Sequence, residues 1–222
     1  MIYFDNGATT FPKPRSVIEA AMEGFVRYGA NPGRSGHDMS FNTAMKIYEA
    51  REKAAAFFGA SSPEEAIFTQ NCTHGINIAL KGLLRHGDHV VISDIEHNAV
   101  LRPVHAMSRR GIISYSVAQT FTGKDETVSS FARLIRPETR MIVCSHASNV
   151  LGIRLPIEEL GELCLKEDLL FMVDAAQTAG VLPINIGDTG IDFLCASGHK
   201  SLYGPPGTGL LITPLERKSP SI

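Results

Sequence analysis

The sequence has 222 residues, 44% hydrophobic and 20% charged, with 21 Lys and Arg against 23 Asp and Glu. That composition excludes disorder as the dominant state and fits one large α/β domain with a sizeable core. A near-neutral charge without Lys/Arg runs offers no footprint for nucleic-acid phosphates or anionic membranes, so neither is expected and a small-molecule partner is.

The opening stretch to Pro14 is rich in Thr and Pro and reads as an extended arm. Val17, Ile18, Ala21 and Phe25 then recur at helical spacing and predict a helix ending near Gly29. The Gly/Pro/Asn/Ser cluster from Ala30 to His37 is a loop, and Met39 to Phe58 is a second helix stopped by Gly59.

From Glu65 onward short β-rich runs alternate with helical stretches. The runs are Ala66 to Thr69, His89 to Ser93, Ile112 to Val117, Met141 to Ser145, Leu169 to Val173 and Phe193 to Ala196. The helical stretches between them are Thr73 to Leu84, Asn98 to Arg109, Ser129 to Ile135 and Ile157 to Lys166. This alternation predicts a mostly parallel sheet with helices on both faces. Gly209 to Thr213 is expected as an edge strand, with a polar, frayed tail after it.

Four cysteines, Cys72, Cys144, Cys164 and Cys195, form no CxxC pair, and three sit in apolar runs. They read as buried thiols in a reducing compartment, with no metal expected. The N-terminus meets turn-forming residues before any apolar leader segment could form, and no run approaches the ~20 apolar residues of a membrane span. A cytoplasmic location is the expectation.

In such sheets ligands bind beyond the carboxyl ends of the strands, so the polar corners there matter most. Those corners read Gln-Asn-Cys-Thr-His-Gly, Asp-Ile-Glu-His, His-Ala-Ser-Asn, Asp-Ala-Ala-Gln and Ser-Gly-His-Lys. Asp174 alone reads as a turn or capping residue, and His97 alone as a surface histidine. Together the corners converge. Thr73 at a helix start, with Ser197 and His199 nearby, offers hydroxyl, amide and imidazole groups to a phosphate dianion. Lys200 precedes a Gly/Pro loop, an odd place for a merely solvating charge. An amine facing a phosphate cup, with a carboxylate for a pyridinium nitrogen, is the set that pyridoxal 5'-phosphate requires.

SGHKSLYGPPGTG, VDAAQTAG, HASNVLG, IEHNAV and YFDNGATTFPKP together resemble the cysteine desulfurase group of the class V aminotransferase-like, fold-type-I pyridoxal phosphate enzymes, from Tyr3 to about Leu211. The resemblance implies that Lys200 carries the cofactor and moves protons, that Asp174 pairs with the pyridine nitrogen, and that Gln177 meets the phenolic oxygen. It implies that His97 stacks on the ring and takes part in proton transfer. Thr73, Ser197 and His199 then hold the phosphate with the backbone of Cys72 and Thr73, and Asn149 lies near the phenolic oxygen and substrate carboxylate. The implied activity is removal of sulfur from L-cysteine to give L-alanine and a persulfide. That activity serves sulfur metabolism and iron–sulfur cluster assembly, with a protein sulfur acceptor and a homodimer.

The resemblance divides the chain into an arm, helix and loop over 1–38, a cofactor-binding large domain over 39–215, and a frayed tail over 216–222. Two departures stand out. The phosphate corner reads Asn71-Cys72-Thr73-His74 where relatives have Gly-Ala-Thr-Glu or Gly-Thr-Thr-Glu. Relatives also continue into a smaller C-terminal domain bearing a nucleophilic cysteine and a substrate-binding arginine, which these 222 residues lack. A selenocysteine lyase, another class V lyase or aminotransferase, and a non-catalytic cofactor-domain remnant are the alternative readings.

Overall fold

The structure, a computed structural model, describes residues 2–33 and 36–215. The expected tail at 216–222, and residues 34 and 35 of the expected loop, lie outside the described residues. In chain order come α1 (Arg15–Arg27), α2 (Asp38–Phe57), a 3-10 turn (Pro63–Glu65), β1 (Ala66–Thr69), α3 (Cys72–Leu83), β2 (His89–Ser93), α4 (Asn98–Arg109) and β3 (Ser114–Ala118). They are followed by α5 (Lys124–Ala132), β4 (Thr139–Ser145), α6 (Ile157–Lys166), β5 (Leu170–Asp174), α7 (Ile186–Thr189), β6 (Phe193–Ser197) and β7 (Gly209–Ile212).

The central strands are apolar at nearly every position, so both faces of the sheet must be covered. Side chains alternate accordingly. Val91, Ile142, Cys144, Phe171, Val173, Leu194 and Ala196 feed one core, where α2, α5 and α6 add Ala55, Phe131, Leu160 and Cys164. Val90, Ile92, Met141, Val143, Met172 and Cys195 feed the other, where α3 and α4 pack. Ile76 and Leu80 of α3, and Val100, Val104 and Met107 of α4, repeat every three or four residues and are buried. Each large aliphatic side chain buried in this way contributes about 1.5–3 kcal/mol. Helix α1 buries none of its residues.

The sheet order is β1-β7-β6-β5-β4-β2-β3, and only β7 runs against its neighbours. The mostly parallel expectation holds, but the last strand is no edge. β7 sits between β1 and β6, and Gly209 permits it, since a Cβ there would lie 2.6 Å from the Asn71 backbone. Two further differences are local. Helix α5 starts at Lys124 because a polar first turn with Asp125 and Glu126 extends it ahead of its apolar positions. The short α7, unexpected from the sequence, is capped by Asn185 Oδ1 accepting from Gly187 N and ended by Gly190 at φ 65°. Among the described residues no helix is long and apolar enough to cross a membrane.

Candidate functional site

Because five parallel strands end on one edge, the residues that follow them become neighbours. β1 ends at Thr69, β2 at Ser93, β4 at Ser145, β5 at Asp174 and β6 at Ser197. The register sets Ser145 beside Asp174 and Asp174 beside Cys195. Beyond that edge lies a cavity of about 180 Å³. Its walls include Cys72, Thr73, His97, Asn149, Asp174, Gln177, Ser197, His199 and Lys200, every residue singled out in the sequence, together with Asn71, Ala99, Ser145, Ala147 and Ala176. A larger cavity of about 400 Å³ opens at the opposite edge, where Glu65 and Asp192 line it. Both carboxylates there are engaged in holding the fold, Glu65 by Ser61 and Leu215, Asp192 by the Phe171 amide.

Asp174 closes β5 and is buried. Its Oδ1 accepts from the Ala176 amide at 2.9 Å and from Cys72 Sγ at 3.2 Å, which fixes the carboxylate against the start of α3. Burial, and next the charge of Asp174, push the Cys72 thiol well above its ordinary pKa, so it remains a donor. The departure from relatives at this corner therefore places a thiol on the carboxylate.

Helix α3 begins where Asn71 Oδ1 accepts from His74 N at 2.8 Å. Helix geometry leaves the first-turn amides of Cys72 and Thr73 without carbonyl partners inside the helix, a place where an anion can be held. Ser197 at the end of β6 and His199 two residues on face the same cavity. Burial, then the charges of Lys200 and Lys13, hold the His199 imidazole below its usual range and keep it neutral.

His97 is the N-cap of α4, and its Nδ1 accepts from Ala99 N at 3.1 Å. In the neutral ring this leaves Nε2 as the protonated nitrogen. Gln177 Nε2 donates to Gly7 O at 3.2 Å, tying the N-terminal arm to the corner after β5.

Lys200 lies in a tight loop. Gly198 N donates to Thr208 O, Gly204 N to Gly198 O, and Tyr203 N to Lys200 O at 2.9 Å. Tyr203 sits at φ 60°, a left-handed conformation that a tyrosine adopts only under constraint. Gly180, at φ 87°, packs so closely that a Cβ would lie 2.5 Å from Ser201 O.

One residue beside the site went unrecognised in the sequence. The Glu96 carboxylate is boxed in at the ends of β2 and β4: Ser93 Oγ donates to it in a short hydrogen bond, Ser145 N at 2.8 Å and Ser145 Oγ at 2.9 Å. It thereby pins the turn that presents His97. The motif IEHNAV contained it, but only the strand pairing reveals its partner. None of the four cysteines is in a disulfide, all are buried, and burial pushes the thiols of Cys72, Cys144 and Cys195 well up. None is poised as a nucleophile.

The chain is similar to the cysteine desulfurase IscS of Dictyoglomus turgidum, 37% identical over 217 residues that make up 95% of this chain and 53% of the relative. The solved apo structure of the cysteine desulfurase from Thermococcus onnurineus NA1 superposes with a TM-score of 0.86 at 34% identity, covering 96% of this chain and 54% of that one. A structure described as SspA in complex with cysteine gives the same TM-score and identity, with 96% and 61% covered. The chain thus spans about half the length of the curated relatives it matches. The aminotransferase class-V family model matches residues 2–219, and the chain belongs to that family.

Proposed function

We propose that this cavity holds pyridoxal 5'-phosphate and that the chain is the cofactor-binding half of a cysteine desulfurase-like enzyme acting on L-cysteine. The observation that carries the reading is the convergence on one cavity of about 180 Å³ of a lysine, a buried carboxylate and a set of anion donors from three separate strand ends, β1, β5 and β6. The donor set fits the group. Thr73, Ser197, His199 and the amides of Cys72 and Thr73 hold the phosphate, Asp174 the ring nitrogen, Gln177 and Asn149 the phenolic oxygen, and Lys200 the aldehyde carbon. When bound, the cofactor supplies an electron sink for the bond-breaking at the substrate Cα.

The chain's own groups do the rest. Asp174, already engaged through Oδ1, would accept from the protonated ring nitrogen with its carboxylate and so favour the cationic ring. His97, whose Nδ1 is taken by the Ala99 amide, would lie against the ring and use Nε2–H in proton exchange with the substrate. Lys200, the amine of the site, would take and return the proton at the substrate Cα. Asn149 orients the substrate carboxylate.

The names of the relatives favour L-cysteine among the substrates that the family resemblance leaves open. Because all four thiols of this chain are buried, the sulfur-accepting thiolate comes from elsewhere. With the cofactor, L-cysteine and excess dithiothreitol, alanine and sulfide therefore form in equal amounts, and Lys200→Ala forms neither. A loaded wild-type chain that releases no alanine would contradict the assignment of substrate.

The apolar groove beside the lysine loop, with Phe57 59% and Phe68 49% exposed, supports a homodimer. Sedimentation as a monomer at micromolar concentration would argue against it.

A further inference from the structure

Three donors from the N-terminal arm converge on a single carbonyl of the lysine loop. Thr9 Oγ1 at 3.1 Å, Thr10 N at 3.1 Å and Lys13 Nζ at 2.7 Å all reach His199 O. The next carbonyl is taken as well, because Thr10 Oγ1 donates to Lys200 O at 2.8 Å. A carbonyl oxygen offers two lone pairs, so three donors saturate His199 O, and all three come from the far end of the sequence.

The arm is braced before it arrives. Tyr3 Oη lies 3.0 Å from Thr9 O and 3.1 Å from Asp5 O and shares its one proton between them, and the amides of Ala8 and Thr9 close onto Asp5 O. Thr10 is 8% exposed, whereas Phe4 is 93% exposed. Burial is therefore concentrated where the arm touches the loop. On its other side Lys200 O is held only within its own turn, by Tyr203 N, in a stretch where Tyr203 carries a left-handed backbone. A strained turn keeps its shape when its surroundings over-determine it, and the arm supplies that determination from 186–190 residues away.

We propose that residues 9–13 form a clamp that positions Lys200, with Thr10 and Lys13 as its positioning residues. The proposal rests on the reading of Lys200 as the cofactor-binding lysine. Holding the two backbone carbonyls at 199 and 200 fixes the direction in which the lysine side chain leaves the loop. An amine misplaced by about 1 Å loses up to about a hundredfold in the rate of bond formation.

Two ligands separate the clamp from the site. Pyridoxine 5'-phosphate lacks the aldehyde and reports the phosphate and ring contacts alone, by equilibrium dialysis. Pyridoxal 5'-phosphate, fixed at timed intervals with borohydride and located by mass spectrometry, reports capture by Lys200. Thr10→Val is expected to bind pyridoxine 5'-phosphate as the wild type does and to capture pyridoxal 5'-phosphate about tenfold or more slowly. Thr10→Ser, which keeps the hydroxyl, restores the rate. Lys13→Met slows capture likewise and stands in if Thr10→Val does not fold. Wild-type capture rates in the folded variants overturn the clamp, as does a parallel loss of capture and of pyridoxine 5'-phosphate binding in Thr10→Val. A wild-type chain that binds pyridoxine 5'-phosphate but captures no aldehyde overturns the role of Lys200 and the clamp with it. Binding of neither ligand overturns the cofactor reading itself.

Discussion

Glu96 and His146 follow the ends of the neighbouring strands β2 and β4 and respond to protons in opposite senses. Burial pushes the Glu96 carboxyl from 4.5 to about 7, with the charge of Asp174 adding to the rise and hydrogen bonds from Ser93 and Ser145 opposing it. The folded chain therefore holds this proton more tightly than the unfolded one, and the stability it contributes is lost as pH climbs from 4.5 through 7. His146 is fully buried, its Nε2 accepts from Arg154 Nε at 3.1 Å, and its Nδ1 has no hydrogen-bond partner among the described residues. Burial first, and then the Arg154 charge, lower it from 6.5 to about 4. Its contribution is present above pH 6.5 and is lost as pH falls through 4. Between pH 4.5 and 6.5 the two slopes oppose. Relative to the wild type, the melting temperature of Glu96→Gln rises with pH across that window, and that of His146→Gln falls. Thermal scans at five pH values check this, and parallel profiles for all three proteins would sink it. At this scale His97, Asp174 and Lys200 were legible as polar residues at strand ends that share one edge, and the structure lines one cavity with them. Glu96 occupies the same corner as His97, but its meaning depends on Ser145, 49 residues away, which no local pattern connects to it.

Among the elements, those punctuated by strong breakers were readable to the residue. Helix α4 and helix α6 begin and end where the apolar period and their flanking residues place them, and strands β1 and β2 match their β-branched runs. The position of β7 was not readable, because pairing order is a tertiary property and the run GLLI is equally good at an edge or inside. What allows β7 inside is the missing side chain at Gly209, which lets the strand pass against Asn71. Gly209→Ala must push apart β7 and the cap of α3. The expected cost is about 1–3 kcal/mol, as for other overpacked sites. Because Asn71 adjoins Cys72 and Thr73, affinity for pyridoxine 5'-phosphate should fall along with stability. Chemical denaturation and dialysis on the same preparation measure both, and an unchanged denaturation midpoint would contradict the packing argument.

Over the whole molecule, the sheet gathers at one edge a constellation that the sequence spreads from Asn71 to Lys200. The parallel alternation made that edge predictable, since every strand but β7 delivers its carboxyl end to the same side. The arm was not predictable. Residues 3–13 were legible only as an extended, Pro-rich stretch, and their partners at His199 and Lys200 lie at the far end of the chain. Surface left apolar is the other global feature. Helix α1 exposes Ile18, Met22, Phe25 and Val26, more than a solvated helix needs. The chain also spans only about half of its relatives' length. The cavity brings together every residue singled out in the sequence, so the central claim is open to test on the chain alone. The decisive measurement is the absorbance spectrum of the purified protein, mixed with pyridoxal 5'-phosphate and then desalted, beside Lys200→Ala. The account predicts a visible band that survives desalting in the wild type and is absent from the variant. No retained band, or an equal band in both proteins, would contradict it.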